Sequence, residues 1–196
     1  MPRSKSSTTF IATTFIALLR GINVGRAKRI SMADLRELVE SIGGTQVRTL
    51  LNSGNVVFVA KTSSSAALAG KIESALEKRH GFSAATVVIS ADELNAIVES
   101  NPLVERAPDA SRHLVAFVMS PDALMKARPL LRTDWTPDAL AIGPAAAYLW
   151  CATGILDSKM LQAFARALTN TATTRNWATV MKLHALVNAE AVAKKG

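Results

Sequence analysis

Two short segments, residues 15–20 (FIALLR) and 113–119 (HLVAFVM), are apolar at consecutive rather than alternate positions. The first reads as a strand covered on both faces, and the second as a strand. Each opens a similar series of elements. After the first run comes a glycine-containing basic loop, 21–29, and then Ser31 and Asp34 in an S-x-x-D capping pattern. Met32, Leu35, Leu38, Val39 and Ile42 follow at helical spacing, and Gly43-Gly44 ends that helix. Segments 47–51 and 56–60 read as strands around the turn Asn52-Ser53-Gly54-Asn55. A helix over 65–80 and a strand over 85–89 complete the order βαββαβ, the ferredoxin-like split unit.

Ser90 and Glu93 form a capping box for a short helix ending near Asn101-Pro102. The second series then begins at 113: a strand, a helix with Pro121 at its first position, strands over 140–143 and 147–151, and a helix over 155–168. A terminal helix is predicted over 176–193, with no fourth strand before it. The expected fold is therefore α+β, with two ferredoxin-like-related halves: a βαββαβ unit followed by an incomplete βαββαα. The predicted organisation is a disordered leader over 1–14, halves over 15–100 and 113–196, and a connector over 101–112. The pentapeptide TTFIA occurs at 8–12 and again at 13–17, and only one copy can supply the first strand.

With 49% apolar and 19% charged residues over 196 positions, the chain can bury a sizeable core without staples. One cysteine excludes an internal disulfide framework, and three scattered histidines, His80, His113 and His184, argue against a His-built metal site. No metal and no cofactor are expected. The run from Phe10 to Leu19 is interrupted by threonines and followed by no A-x-A site, and no run reaches the roughly 18 residues of a membrane span. A cytoplasmic location without membrane association is the expectation.

The net charge of +8 is uneven. Residues 1–30 hold six bases and no acid, residues 31–138 are slightly acidic, and residues 139–196 hold six bases against Asp157 and Glu190. If the two ends meet, they make a positive patch suited to anions. A soluble basic surface without a specific partner is the alternative.

Four stretches, FIALLRGINVG (15–25), RTLLNSGNVVF (48–58), GILDSK (154–159) and TTRNWATVMKL (173–183), resemble the domain-of-unknown-function family numbered 1697, over roughly 15–190. The resemblance implies a two-part α+β fold in bacterial cytoplasmic proteins and no established activity. The family usually reads Asn-Trp-Asn-Thr where this chain has Asn176-Trp177-Ala178-Thr179. The missing polar group argues against catalysis at position 178.

The polar residues of these stretches are nearly all hydrogen-bond donors, and Asp157 is the only nearby carboxylate. That argues against paired-carboxylate chemistry and suits anion recognition. No catalytic residue is assigned. The candidate anion-binding residues are Arg20, Asn23, Lys159, Arg175 and Asn176, with Ser53, Asn55, Ser158 and Thr174 as secondary candidates. Each also has a structural reading. The loop 21–29 has the placement of a phosphate loop without its spacing. Thr173 or Thr174 can cap the terminal helix beside Arg175, or Trp177 can pack in the core while Arg175 and Asn176 bind carbonyls. Asn52 to Asn55 is first a hairpin turn, and Cys151 reads as a buried, inert thiol.

Three functions follow. One is binding of a phosphate-bearing or other anionic small molecule between the halves, which requires Arg20, Lys159 and Arg175 to converge. The second is nucleic-acid backbone binding through the basic termini, without base stacking on the sheet, since both sheet faces read as covered. The third is a structural or dimer-forming module, and a homodimer is compatible with the sequence.

Overall fold

The computed structural model describes residues 12–62 and 64–193. The first half runs β1 (Thr13–Leu19), α1 (Met32–Ser41), β2 (Thr45–Leu50), β3 (Asn55–Ala60), α2 (Ser65–His80), β4 (Thr86–Ser90) and α3 (Ala91–Glu99). The second runs β5 (His113–Val118), α4 (Pro121–Ala127), a 3-10 turn (Arg128–Arg132), β6 (Ala139–Ile142), β7 (Ala146–Trp150), α5 (Lys159–Leu168), β8 (Ala172–Asn176) and α6 (Trp177–Ala193). Each half holds one four-stranded antiparallel sheet, in the orders β2-β3-β1-β4 and β6-β7-β5-β8. The two orders are the same, so the α+β architecture in two halves is a repeated unit.

The second unit is complete, which corrects the expected βαββαα. Residues 172–176 pair with β5, Arg175 opposite Val115 and Thr173 opposite Phe117. The buried members of β8 are Thr173 and Arg175, so the strand has no apolar alternation by which to recognise it. The ladder also takes Thr173 and Thr174 out of contention as caps. Asn176 does that work, its Oδ1 accepting from the backbone N–H of Thr179 at 2.9 Å.

At the other end, the second TTFIA copy forms the strand. Thr13 and Thr14 belong to β1, not to a leader, and residues 1–11 of the expected leader lie outside the described residues. Segment 100–112 carries neither helix nor strand. Capping follows the sequence at Ser31 and at Ser90 with Glu93. The helix expected over 155–168 starts later, at Lys159, because Ser158 caps it. Ser120 makes no capping bond, and Pro121 alone marks the start of α4.

Side-chain alternation along the central strands assembles the layers. Phe15, Ala17 and Leu19 of β1 pack with α1 and α2 on the outer face of the first sheet. Leu114 and Ala116 of β5 pack likewise with α4 and α5. The inner residues, Ile16 and Leu18 from β1 and Val115 and Phe117 from β5, join Leu94 and Ile97 of α3 and Val180, Leu183 and Val187 of α6 in one core. The halves therefore share their largest apolar cluster, and both faces of β1 and β3 are covered. This removes the open sheet on which bases stack in RNA-recognition folds. Tyr148 ties the halves with a polar bond, donating to the Ile97 carbonyl at 2.7 Å. Among the described residues no helix is long and apolar enough to cross a membrane.

Candidate functional site

The turn between β2 and β3 packs under the end of β1. Gly54 has φ +75°, and a Cβ there would stand 2.8 Å from Ile22 and 2.9 Å from Leu19, so only glycine fits. The Leu19 N–H donates to the Gly54 carbonyl at 2.8 Å. This approach gathers the carbonyls of Leu19, Ser53 and Gly54 in one place. Asn55, fully buried, donates Nδ2–H to the Leu50 carbonyl and to the Ser53 hydroxyl, which fixes its Oδ1.

Into this cage β8 inserts Arg175, only 8% exposed. Its Nε donates to Asn55 Oδ1. Nη1 donates to Thr173 Oγ1 and to the Thr174 carbonyl, both at 2.9 Å. Nη2 donates to the carbonyls of Leu19 at 2.8 Å, Ser53 at 3.1 Å and, more weakly, Gly54 at 3.4 Å. Every guanidinium N–H is thus engaged, and every acceptor is neutral. Desolvation pushes the Arg175 pKa down to about 10. The group is a buried cation with saturated hydrogen bonds and no carboxylate partner among the described residues. Its bonds are structural, and its charge remains uncompensated.

Arg175 lines a cleft of about 440 Å³ between the halves. The first half contributes Leu19, Arg20, Gly21, Ile22, Val24 and Ser53. The second contributes Leu161, Phe164, Ala165 and Leu168 from α5, then Thr169 and the strand residues Ala172 to Arg175. Among the described residues no acidic one lines it. Arg20, which leaves the end of β1, reaches across to the end of α5. Its Nη1 donates to the Thr169 carbonyl at 2.9 Å and to Asn170 Oδ1 at 2.8 Å. Its Nε and Nη2 make no hydrogen bond to a described residue.

Arg20 and Arg175 therefore converge, together with Ser53 and Thr174. The remaining candidates lie elsewhere. Lys159 lines a separate cavity of about 500 Å³ with Asp134, Asp138 and Asp157. Asn23 lines a third, of about 590 Å³, with Arg29, Ser31 and Asp34. Its side chain closes the loop at its base, bonding the N–H and carbonyl of Ile30 and the carbonyl of Asn52. Asn176 is a helix cap, and Asn55 both braces the β2–β3 turn, as its turn reading expects, and clamps Arg175.

Ser158 is buried, caps α5 through the Leu161 N–H and donates to Asp138 Oδ2 at 2.6 Å. It is thereby committed to holding the loop before α5. Asp138 was not singled out by the sequence reasoning. It is 7% exposed and also accepts from the Ala152 N–H at 2.8 Å. The apolar wall of the cleft was missed too, although Leu161, Phe164, Ala165 and Leu168 stand at the spacing of one helix face.

Burial pushes the Cys151 thiol up, as an inert buried thiol requires. His113 is fully buried, stacked on Trp177 with ring centroids 5.1 Å apart, and its Nδ1 has no partner. Among the described residues no three His, Cys, Asp or Glu side chains group as metal ligands.

A family model describing proteins of unknown function, DUF1697, matches residues 12–148. No curated protein matches the chain. Among solved structures, the chain is similar to the conserved bacterial protein SP0830 from Streptococcus pneumoniae, at 23% identity and a TM-score of 0.68, over 89% of this chain and 98% of that one. At that identity the likeness shows the fold. With a family match that covers the first half, extends into the second and takes in more than half of its residues, the chain belongs to the DUF1697 family of proteins of unknown function.

Proposed function

We propose that the cleft between the halves binds an anionic small molecule, with a carboxylate or phosphate group placed at Arg20. The observation that carries this reading is the uncompensated charge of Arg175 at the wall of a cleft that has a second guanidinium and no acid in its lining. A charge held among neutral dipoles, away from water, exerts a stronger field than an exposed one. Arg175 supplies that field without touching the ligand by hydrogen bond. Arg20, whose Nε and Nη2 bond no described residue, supplies the contact.

The test is thermal melting at fixed salt against nucleotides, sugar phosphates, carboxylates and inorganic phosphate, with Arg20→Gln as the comparison. A ligand at 100 times its Kd adds about 2.7 kcal/mol. For a chain of this length that is roughly 5–10 °C in the midpoint. The expected result is such a shift in the wild type and its loss in Arg20→Gln. Shifts equal in both proteins, or none with any compound, contradict the reading. Nucleic-acid binding that falls steeply with salt would instead assign the charge to the exposed loop of Arg26, Lys28 and Arg29.

A further inference from the structure

The walls of the cleft are more apolar than a bare phosphate or carboxylate needs. Leu161 and Ala165 of α5, with Ala172 beside them, give the cleft its open apolar surface, and Leu19, Ile22, Phe164 and Leu168 line it as buried core beneath. A small polar ion leaves this surface in water and gains nothing from it. The loop at the rim has the same character. Val24 lines the cleft and yet is 73% exposed, an apolar side chain with nothing to cover it. It stands between Gly21 and Gly25, both at φ +66° and both in open space. The loop is held at its base, where the Asn23 N–H donates to the Lys28 carbonyl at 3.0 Å and the Asn23 side chain holds Ile30 and Asn52, and Arg29 Nε donates to the Gly25 carbonyl at 3.1 Å. The segment 24–27 projects beyond that clasp.

We infer that the ligand of this cleft is an amphipathic anion, an acid head on an apolar alkyl or aryl body, and that Val24 covers this body when the cleft is filled. The inference rests on the anion-site reading above and narrows its substrate class. The head meets one guanidinium, Arg20, whose Nη1 is already held by Thr169 and Asn170. The body lies along α5 and is closed off from water by the loop.

The experiment is calorimetric titration of the full chain at fixed salt with two series, each below its micelle concentration. One is acetate, hexanoate and decanoate. The other is inorganic phosphate, hexyl phosphate and decyl phosphate. Affinity is expected to rise about fourfold per added methylene until the cleft is full. The difference between the series identifies the preferred head. Val24→Ser is expected to weaken the decyl compound about fivefold to tenfold and to leave acetate and inorganic phosphate unchanged. If all chain lengths bind alike and Arg20→Gln abolishes binding, the apolar body is refuted and the anion site stands. A chain-length gain that survives unchanged in Val24→Ser refutes the covering role of Val24. If nothing binds, or Arg20→Gln binds as the wild type does, the anion site and the inference fall together.

Discussion

Arg175 on β8 donates its Nε–H to Oδ1 of Asn55 on β3, joining the two halves across 120 positions of sequence. The partner is an amide and not a carboxylate, so the bond fixes the guanidinium without cancelling its charge. Stability and electrostatics can therefore be separated at this pair.

Asn55→Ala leaves a buried charged donor without its acceptor and should cost about 2–3 kcal/mol. Arg175→Ala strands several buried acceptors at once and should cost about 3–5 kcal/mol. Because the residues are in contact, the double variant should lose less than the sum. Denaturant unfolding of the four proteins measures this, and strict additivity would contradict the pairing.

Asn55→Asp keeps an acceptor for Arg175 and adds a negative charge beside it, at the cost of the Nδ2–H bond to the Leu50 carbonyl. It should reduce anion affinity roughly tenfold by cancelling the field at the cleft. Binding of the best anion from the melting panel, compared between the wild type and this variant, reads the effect. Unchanged affinity would mean that the charge of Arg175 plays no part.

His113 should make the protein acid-sensitive. Burial lowers its pKa below the ordinary 6.5. As pH falls through 6.5 the unfolded chain takes up a proton that the folded chain refuses, so stability drops, by at most about 1.4 kcal/mol per pH unit, until the folded group also protonates. Above that range the group contributes no slope. His113→Phe, which keeps a ring against Trp177, should flatten the wild-type slope between pH 6.5 and 5 in melting experiments. Parallel curves for the two proteins would show that this histidine is not responsible.

Ser158→Ala removes the cap of α5 and the hydroxyl that satisfies the buried carboxylate of Asp138. The expected cost is about 2–3 kcal/mol, more than an exposed cap is worth. It should leave anion binding intact, because neither residue lines the cleft. Loss of binding in a folded Ser158→Ala protein would place the site at Lys159 instead.

The legible part of this fold is the part carried by apolar period and caps. The consecutive apolar residues of β1 announced a strand covered on both faces, and Ser31, Ser90 and Glu93 marked their helices. β8 was not legible, because its inward positions are Thr173 and Arg175, and a strand whose buried residues are polar carries no hydrophobic signal. The same feature hid the structural role of the site. Asn55 read as a turn residue, because the partner that makes it a clamp lies in the other half. The convergence of Arg20 with Arg175 was expected, but Lys159 and Asn23 project into other cavities. Nothing in their local sequence distinguishes those directions.

The most direct measurement is nitrogen-15 NMR of the arginine Nε–H groups while decyl phosphate or the best anion of the melting panel is added. The account predicts a saturable shift of the Arg20 Nε resonance, with the Arg175 Nε–H protected from solvent exchange before and after addition. A ligand that moves Arg26 or Arg29 while Arg20 stays still, or an Arg175 Nε–H that exchanges freely in the folded protein, would contradict it.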